Sequence, residues 1–134
     1  MRSALLISAV ICLLIIACSK DKKSERFRLL TTPVWTSESF DASGPDTTGI
    51  GILVKQLKGD AKFKEDGTGS FGNFTGQWKF LSDETQIQLI TQILPPIITN
   101  IIQLTAQTLK ISATVTIITH PQDPIDLVMT FKAK

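Results

Sequence analysis

In Asp60-Ala61-Lys62-Phe63-Lys64 charged and apolar residues alternate one by one, a period of two that sends the apolar groups to one face of a strand and the charges to the other. Glu65-Asp66-Gly67-Thr68 follows as a turn in which Gly67 is available for a positive backbone angle, and the chain returns through Gly69 to Phe71. These residues predict a β-hairpin. Gly72-Asn73 offers the next turn, after which Gly76, Trp78 and Phe80 alternate with Gln77 and Lys79 as far as Ser82-Asp83-Glu84. Turns this short leave no room for a crossover helix, so the strands are expected to run antiparallel.

The pattern continues toward the C-terminus. Ile87, Leu89, Thr91 and Ile93 share one face, with Gln88 and Gln92 on the other, until Pro95-Pro96 removes two ladder donors. Residues 86–104 also admit a second reading, because Ser82 suits a helix cap and Ile87, Ile90 and Leu94 fit a helical stripe. Their richness in threonine and isoleucine favours strand. Ile97 to Leu104 is a candidate strand, and Leu109, Ile111, Ala113, Val115 and Ile117 alternate cleanly in the next. His120-Pro121-Gln122-Asp123-Pro124 reads as a loop, and Ile125, Leu127, Met129 and Phe131 as the inward face of the last strand. The expectation is an all-β, up-and-down antiparallel meander that closes into a barrel and so eliminates open edges.

Composition fits one domain. The 134 residues carry 14 Lys and Arg against 12 Asp and Glu, a net charge of +2, which supplies no concentrated basic face for nucleic acid. The apolar bias is local, since 14 of the first 17 residues are apolar. Arg2, the apolar run Ala4 to Ile16, and Ala17 before Cys18 have the layout of a cleaved secretory signal, and the run falls below the roughly 18 to 20 residues a membrane-spanning helix needs.

Ile15-Ile16-Ala17-Cys18 resembles the bacterial lipobox, in which a small residue precedes a cysteine that is acylated on sulfur and becomes the mature N-terminus. The resemblance implies lipidation at Cys18 and attachment to a membrane through its acyl chains; a generic signal peptide with a chance cysteine is the alternative. Cys12 would leave with the signal and Cys18 would carry lipid, so the mature domain is expected to hold no disulfide and no free thiol. The organisation expected is a signal peptide over 1–17, a lipidated cysteine and polar tether over 18–28, and a barrel domain over 29–134. Ser19 and the charged residues after it are similar to the sorting signals of outer-membrane and surface lipoproteins of Bacteroidota, which implies an outer-membrane lipoprotein facing the periplasm or the exterior.

Leu30 to Trp35, Phe63-Lys64-Glu65-Asp66-Gly67-Thr68, Gly76-Gln77-Trp78-Lys79-Phe80, Ile101 to Leu109 and Met129-Thr130-Phe131-Lys132 together resemble the small lipocalin-like lipoproteins of Bacteroidota. The family implies an up-and-down barrel with an interior ligand site and no catalytic set. A departure is the continuous apolar region from Ile90 to Ile102 with its proline pair.

Candidate chemistry is sparse. His120 is the sole histidine, and a proline-flanked loop is a poor seat for a hydrolase base. His120, Asp123 and Asp126 match no metal-ligand spacing, and Asp60, Glu65 and Asp66 lack the alternating oxygens of a calcium loop, so neither metal nor cofactor is expected. Asn73-Phe74-Thr75 matches a eukaryotic glycosylation sequon that a bacterial lipobox makes irrelevant, whereas Asp46-Thr47-Thr48 resembles the O-glycosylation motif of Bacteroidota, with Thr47 as acceptor. Trp35 and Trp78 are either core aromatics that plug one barrel end or walls of a ligand site. In the second case Trp35, Phe63, Trp78, Phe80, Leu109, Ile111 and Met129 would surround a small apolar ligand, with Gly76 leaving room beside Trp78. Two non-enzymatic classes result. One is an anchored apolar-ligand carrier. The other is a structural module that contacts an envelope protein through Ile90, Leu94, Ile98 and Ile102, should these lie outside.

Overall fold

The computed structural model describes residues 23–118 and 120–134. A strand that the alternation did not mark, β1 (Trp35–Ser43), precedes the alternating segments, which form β2 (Asp60–Phe63), β3 (Thr68–Phe71), β4 (Phe74–Leu81), β5 (Gln86–Thr91), β6 (Ile97–Leu104), β7 (Thr108–Ile117) and β8 (His120–Ala133). They pair in chain order, all antiparallel, and β8 returns to β1 to close the barrel. The segment open to two readings, 86–104, is thus two strands on either side of the proline break.

Side chains that alternate inward make the core. Trp35, Phe63, Trp78, Leu89, Leu109, Ile111, Leu127, Met129 and Phe131 are buried, as the alternation predicts, while Phe80 and Val115 are half-buried. Two helices cover the ends. The shorter, α1 (Glu25–Thr31), starts at Ser24, whose hydroxyl accepts from the Phe27 amide at 3.0 Å, and at its far end Lys62 Nζ donates to the carbonyls of Thr31, Thr32 and Pro33. Capping of this kind satisfies the backbone groups that a helix leaves unpaired. Its own Leu30 and, beyond its end, Trp35 are fully buried, and the Trp35 indole donates to the Leu30 carbonyl at 3.0 Å.

Helix α1 closes the end marked by the β2–β3, β4–β5 and β6–β7 turns. Phe27 lies 5.7 Å from Trp78, which also meets Phe63 and Phe80 edge-on at 5.7 and 5.3 Å. Tilted and edge-to-face rings at this spacing are the favoured aromatic geometries. Ser24 Oγ and Arg26 Nε donate to the side chain and carbonyl of Glu84, at 2.7 and 2.9 Å. They hold a turn in which Ser82, Asp83 and Glu84 all take left-handed angles, φ 52°, 54° and 64°, a conformation that residues with a Cβ adopt at a cost.

Three expectations need correction. Residues 24–28, read as part of a tether, belong to the cap and body of α1, because Ser24 supplies an N-cap and Phe27 finds Trp78 to pack on. The stretch His120 to Pro124, read as a loop, starts β8, with Ile117 opposite His120; both prolines fall at the irregularity between the Ile117–His120 and Val115–Ile125 pairs, where no ladder donor is required of them. Ile93, placed on the inward face of β5, lies beyond the end of that strand at Thr91 and is 80% exposed.

The hairpin that identified the fold ends in Gly67 at φ +86°. Asp66 accepts from the Thr68 hydroxyl at 2.7 Å and the Thr68 amide at 2.9 Å, an Asx turn. These two bonds, the hydroxyl first, hold the Asp66 carboxyl below the usual 3.8. A depressed folded pKa stabilises above the unfolded pKa and is lost as pH falls through the folded one. We expect the denaturation midpoint of Asp66→Asn to vary less with pH than that of the parent below about pH 4, the two being parallel above about pH 5. Parallel curves throughout the acid range would show that the turn carries no such linkage.

Candidate functional site

The other end of the barrel is covered by α2 (Ile50–Leu57), which lies between β1 and β2 in the chain. Ile50, Leu53, Val54 and Leu57 recur at helical spacing, which gives one apolar stripe, and eight residues span about 12 Å at 1.5 Å each. That is enough to cross the mouth. At the near rim a Cβ on Gly49 would lie 3.5 Å from Ile117 of β7. At the far rim the Asn73 amide donates to the Gln56 carbonyl at 2.9 Å and its side chain to Gln56 Oε1 at 3.2 Å. Gly72 takes φ +60°, and a Cβ there would sit 2.3 Å from the Gln56 carbonyl oxygen. Only glycine permits so close a docking of helix on turn.

Leu53 and Leu57 point from this helix into the barrel. They face Leu89, Ile97, Ala113, Val115, Leu127 and Met129 across a void of about 20 Å³. The volume is near that of one probe sphere, and the lining is apolar, so the void is dry. Among the described residues the only buried polar side chains are Thr31 and Thr99, whose hydroxyls donate to Phe27 and Ile87 carbonyls. The interior therefore carries no charge and no unpaired donor, and it suits an uncharged apolar guest.

Of the residues expected to surround a ligand, Met129 alone lines this void. Trp35, Phe63, Trp78 and Phe80 are brought together at the opposite, α1 end, with both indoles hydrogen-bonded, Trp35 to Leu30 and Trp78 to the Lys64 carbonyl at 2.8 Å. Leu109 and Ile111 are buried in β7 opposite Phe131 and Met129. Gly76 does not leave room beside Trp78. A Cβ at Gly76 would lie 2.0 Å from the Ile90 carbonyl oxygen, so neighbouring backbone occupies that space. Leu53 and Leu57 were missed because the alternation argument has no place for a helix, although the stripe Ile50, Leu53, Val54, Leu57 was present to be read.

Across the ladder from Gly76 stands Gly69. The outer face of this part of the wall carries an open concavity of about 580 Å³ lined by Lys64, Thr68, Ser70, Thr75, Gln77 and Ile90, among others. Among the described residues no three of His, Cys, Asp and Glu gather at metal-binding distance. Thr47 is exposed in the turn before α2, where Asp46 accepts from the Thr48 amide at 2.9 Å and the Thr48 hydroxyl at 2.6 Å. Cys18 lies outside the described residues.

No protein-family model matches the sequence, and no curated protein is similar to it. Two solved structures of bovine odorant-binding protein are similar in fold. One is a complex with a selenium-containing odorant, at TM-score 0.51 and 10% identity over 87% of this chain and 78% of that one. The other is a complex with its natural ligand, at TM-score 0.50 and 10% identity over 86% and 77%. At this identity the likeness concerns the backbone alone: the chain is an eight-stranded, antiparallel closed barrel of lipocalin type.

Proposed function

We propose that this protein is a non-enzymatic carrier of a small apolar molecule, held in a bacterial cell envelope by acyl chains on Cys18. The observation that supports the carrier reading is the mouth. It is covered by a short helix whose two leucines fill the top of an uncharged barrel, and withdrawing them would enlarge the void at once. The binding residues are then Leu89, Ile97, Ala113, Val115, Leu127 and Met129, and the Trp35 and Trp78 cluster serves as a floor. The two odorant-binding barrels, each solved with a small molecule, lend the reading support.

Lipidation is supported by the lipobox resemblance. Lys23, at the start of the described chain, pairs with Glu65 in the β2–β3 turn, so an anchor upstream would tie down the α1 end and leave the mouth facing away. An O-glycan on Thr47 would stand beside that mouth. Titration with an apolar fluorescent probe tests the carrier: a saturable response is expected, and none up to roughly 100 µM, where binding supplies only about 5.5 kcal/mol, would set it aside. For the anchor, Cys18→Ala should leave the protein unprocessed or soluble, and unchanged processing and membrane retention would contradict it. One observation favours the second reading, a module that contacts an envelope protein. Of the four residues named for that contact, Ile98 and Ile102 of β6 lie outside, 48% and 54% exposed, with Ile102 at a bulge in the β6–β7 ladder, whereas Ile90 is half-buried and Leu94 packs against the core.

A further inference from the structure

Ile52, Ile93 and Ile118 are 75%, 80% and 95% exposed. They come from three separate segments, α2, the β5–β6 connection and the β7–β8 turn, yet all three stand at the mouth. Their neighbours show this: Leu53, Ile97 and Val115 line one void beneath the helix, and a Cβ on Gly49 would meet the Ile117 side chain at 3.5 Å. The chain around them is poor in charge: the exposed Lys55, one helical turn after Ile52, Lys58, and Asp46 and Asp123 are what flank it in sequence. Residues 47–54, 85–109 and 111–122 contain no Asp, Glu, Lys or Arg. The α1 end is the reverse, with the Lys23–Glu65 ion pair and Arg26 on Glu84.

We infer that the rim of the mouth docks on a lipid surface of zwitterionic headgroups. Isoleucines offered singly from the tips of separate segments match a fluid apolar phase, which closes around each one. A folded protein partner instead needs a contiguous patch. The uncharged segments cost little to bring into the interfacial layer, and the two lysines of the covering helix, Lys55 and Lys58, fall short of the cluster of about four or more that selects anionic lipid. Docking here sets the interior against the acyl chains, beneath the one helix that covers it. The inference rests on the carrier reading for its purpose, since an apolar guest would enter from the lipid without crossing water; its observations are independent of that reading. With the α1 end tied down, the surface met is one other than the anchoring membrane.

The test is hydrogen exchange on the full chain, titrated with phosphatidylcholine vesicles and followed peptide by peptide. This readout is local, so attachment through the N-terminal segment does not mimic it. Segments 47–54, 92–98 and 116–121 should gain protection by several-fold, with the turns at 64–67, 82–85 and 105–107 unchanged. The triple variant Ile52→Ser, Ile93→Ser, Ile118→Ser should lose that gain while keeping the parent's denaturation midpoint, and 0.5 M salt should leave it intact. Rim protection that is absent, that persists in the triple variant, or that rises with protein concentration in the absence of vesicles, which would indicate a second copy, overturns the inference. Probe binding in vesicle-free solution tests the carrier separately: a chain that binds probe but leaves its rim unprotected refutes docking alone.

Discussion

Gly76→Ala should lower stability by about 3 kcal/mol, the upper part of the range for overpacked sites. The added methyl would lie 2.0 Å from the Ile90 carbonyl oxygen, 3.0 Å from its carbon and 3.1 Å from Thr91 Cα. All three are backbone atoms of the paired strand, so no rotamer change relieves the contact and the ladder between β4 and β5 has to separate. For a domain of this size such a loss corresponds to a fall in Tm of more than about 10 °C. Gly51→Ala is the matched control. It lies in α2 with nothing within 4 Å of its Cβ position, so the same methyl reduces the entropy of the unfolded chain and should stabilise by roughly 0.5 to 1 kcal/mol. Opposite signs in thermal or denaturant unfolding are the expected result. A neutral Gly76→Ala would mean that the β4–β5 ladder gives way to a side chain at little cost.

Two glycines, Gly67 and Gly76, show how far the sequence could be read. Alternation through Lys62, Phe63, Trp78 and Phe80 identified strands and faces correctly, because a one-sided core enforces a period of two and a slip of one residue would turn every side chain the wrong way. Gly67 was legible for a similar reason, since the turn between alternating segments demands a positive angle. What Gly76 faces was not legible. Whether a missing side chain leaves a cavity or admits a neighbouring backbone depends on the distance between strands, which no local pattern encodes. The aromatic residues misled in the same way: Trp35 and Trp78 sit on the inward face, as expected, but their level along the barrel axis is set by register. That level puts them on the floor under α1, away from the mouth. The helix over the mouth was legible in principle from Ile50, Leu53, Val54 and Leu57, whose spacing is a local signal.

Truncating that helix's apolar face should turn a filled barrel into a binding one. Leu57 is buried and Leu53 half-buried, and both border the 20 Å³ void, so Leu53→Ala with Leu57→Ala should cost several kcal/mol, a single buried Leu→Ala change being worth about 2 to 5. The lost volume joins the existing void without exposing a polar group, since no charged side chain lies inside among the described residues. Dry apolar cavities of about 150 Å³ take up benzene-sized molecules. The double variant is therefore expected to bind small apolar probes at least ten-fold more tightly than the parent, whose apparent affinity is reduced by the fraction of molecules with the helix displaced. The probe should also restore stability, by about 2.7 kcal/mol at a hundred times its Kd, and more in the variant than in the parent. Kinetics supply a further distinction. In the parent the observed binding rate should level off at high probe concentration, limited by movement of the helix, while in the variant it should rise linearly. Asn73→Ala, which removes the side-chain bond to Gln56 without touching the interior, should raise the plateau rate. If the double variant binds no better than the parent, the leucines are ordinary core, the helix is a fixed part of the barrel, and the outward isoleucines of β6 become the surface on which to seek the protein's function.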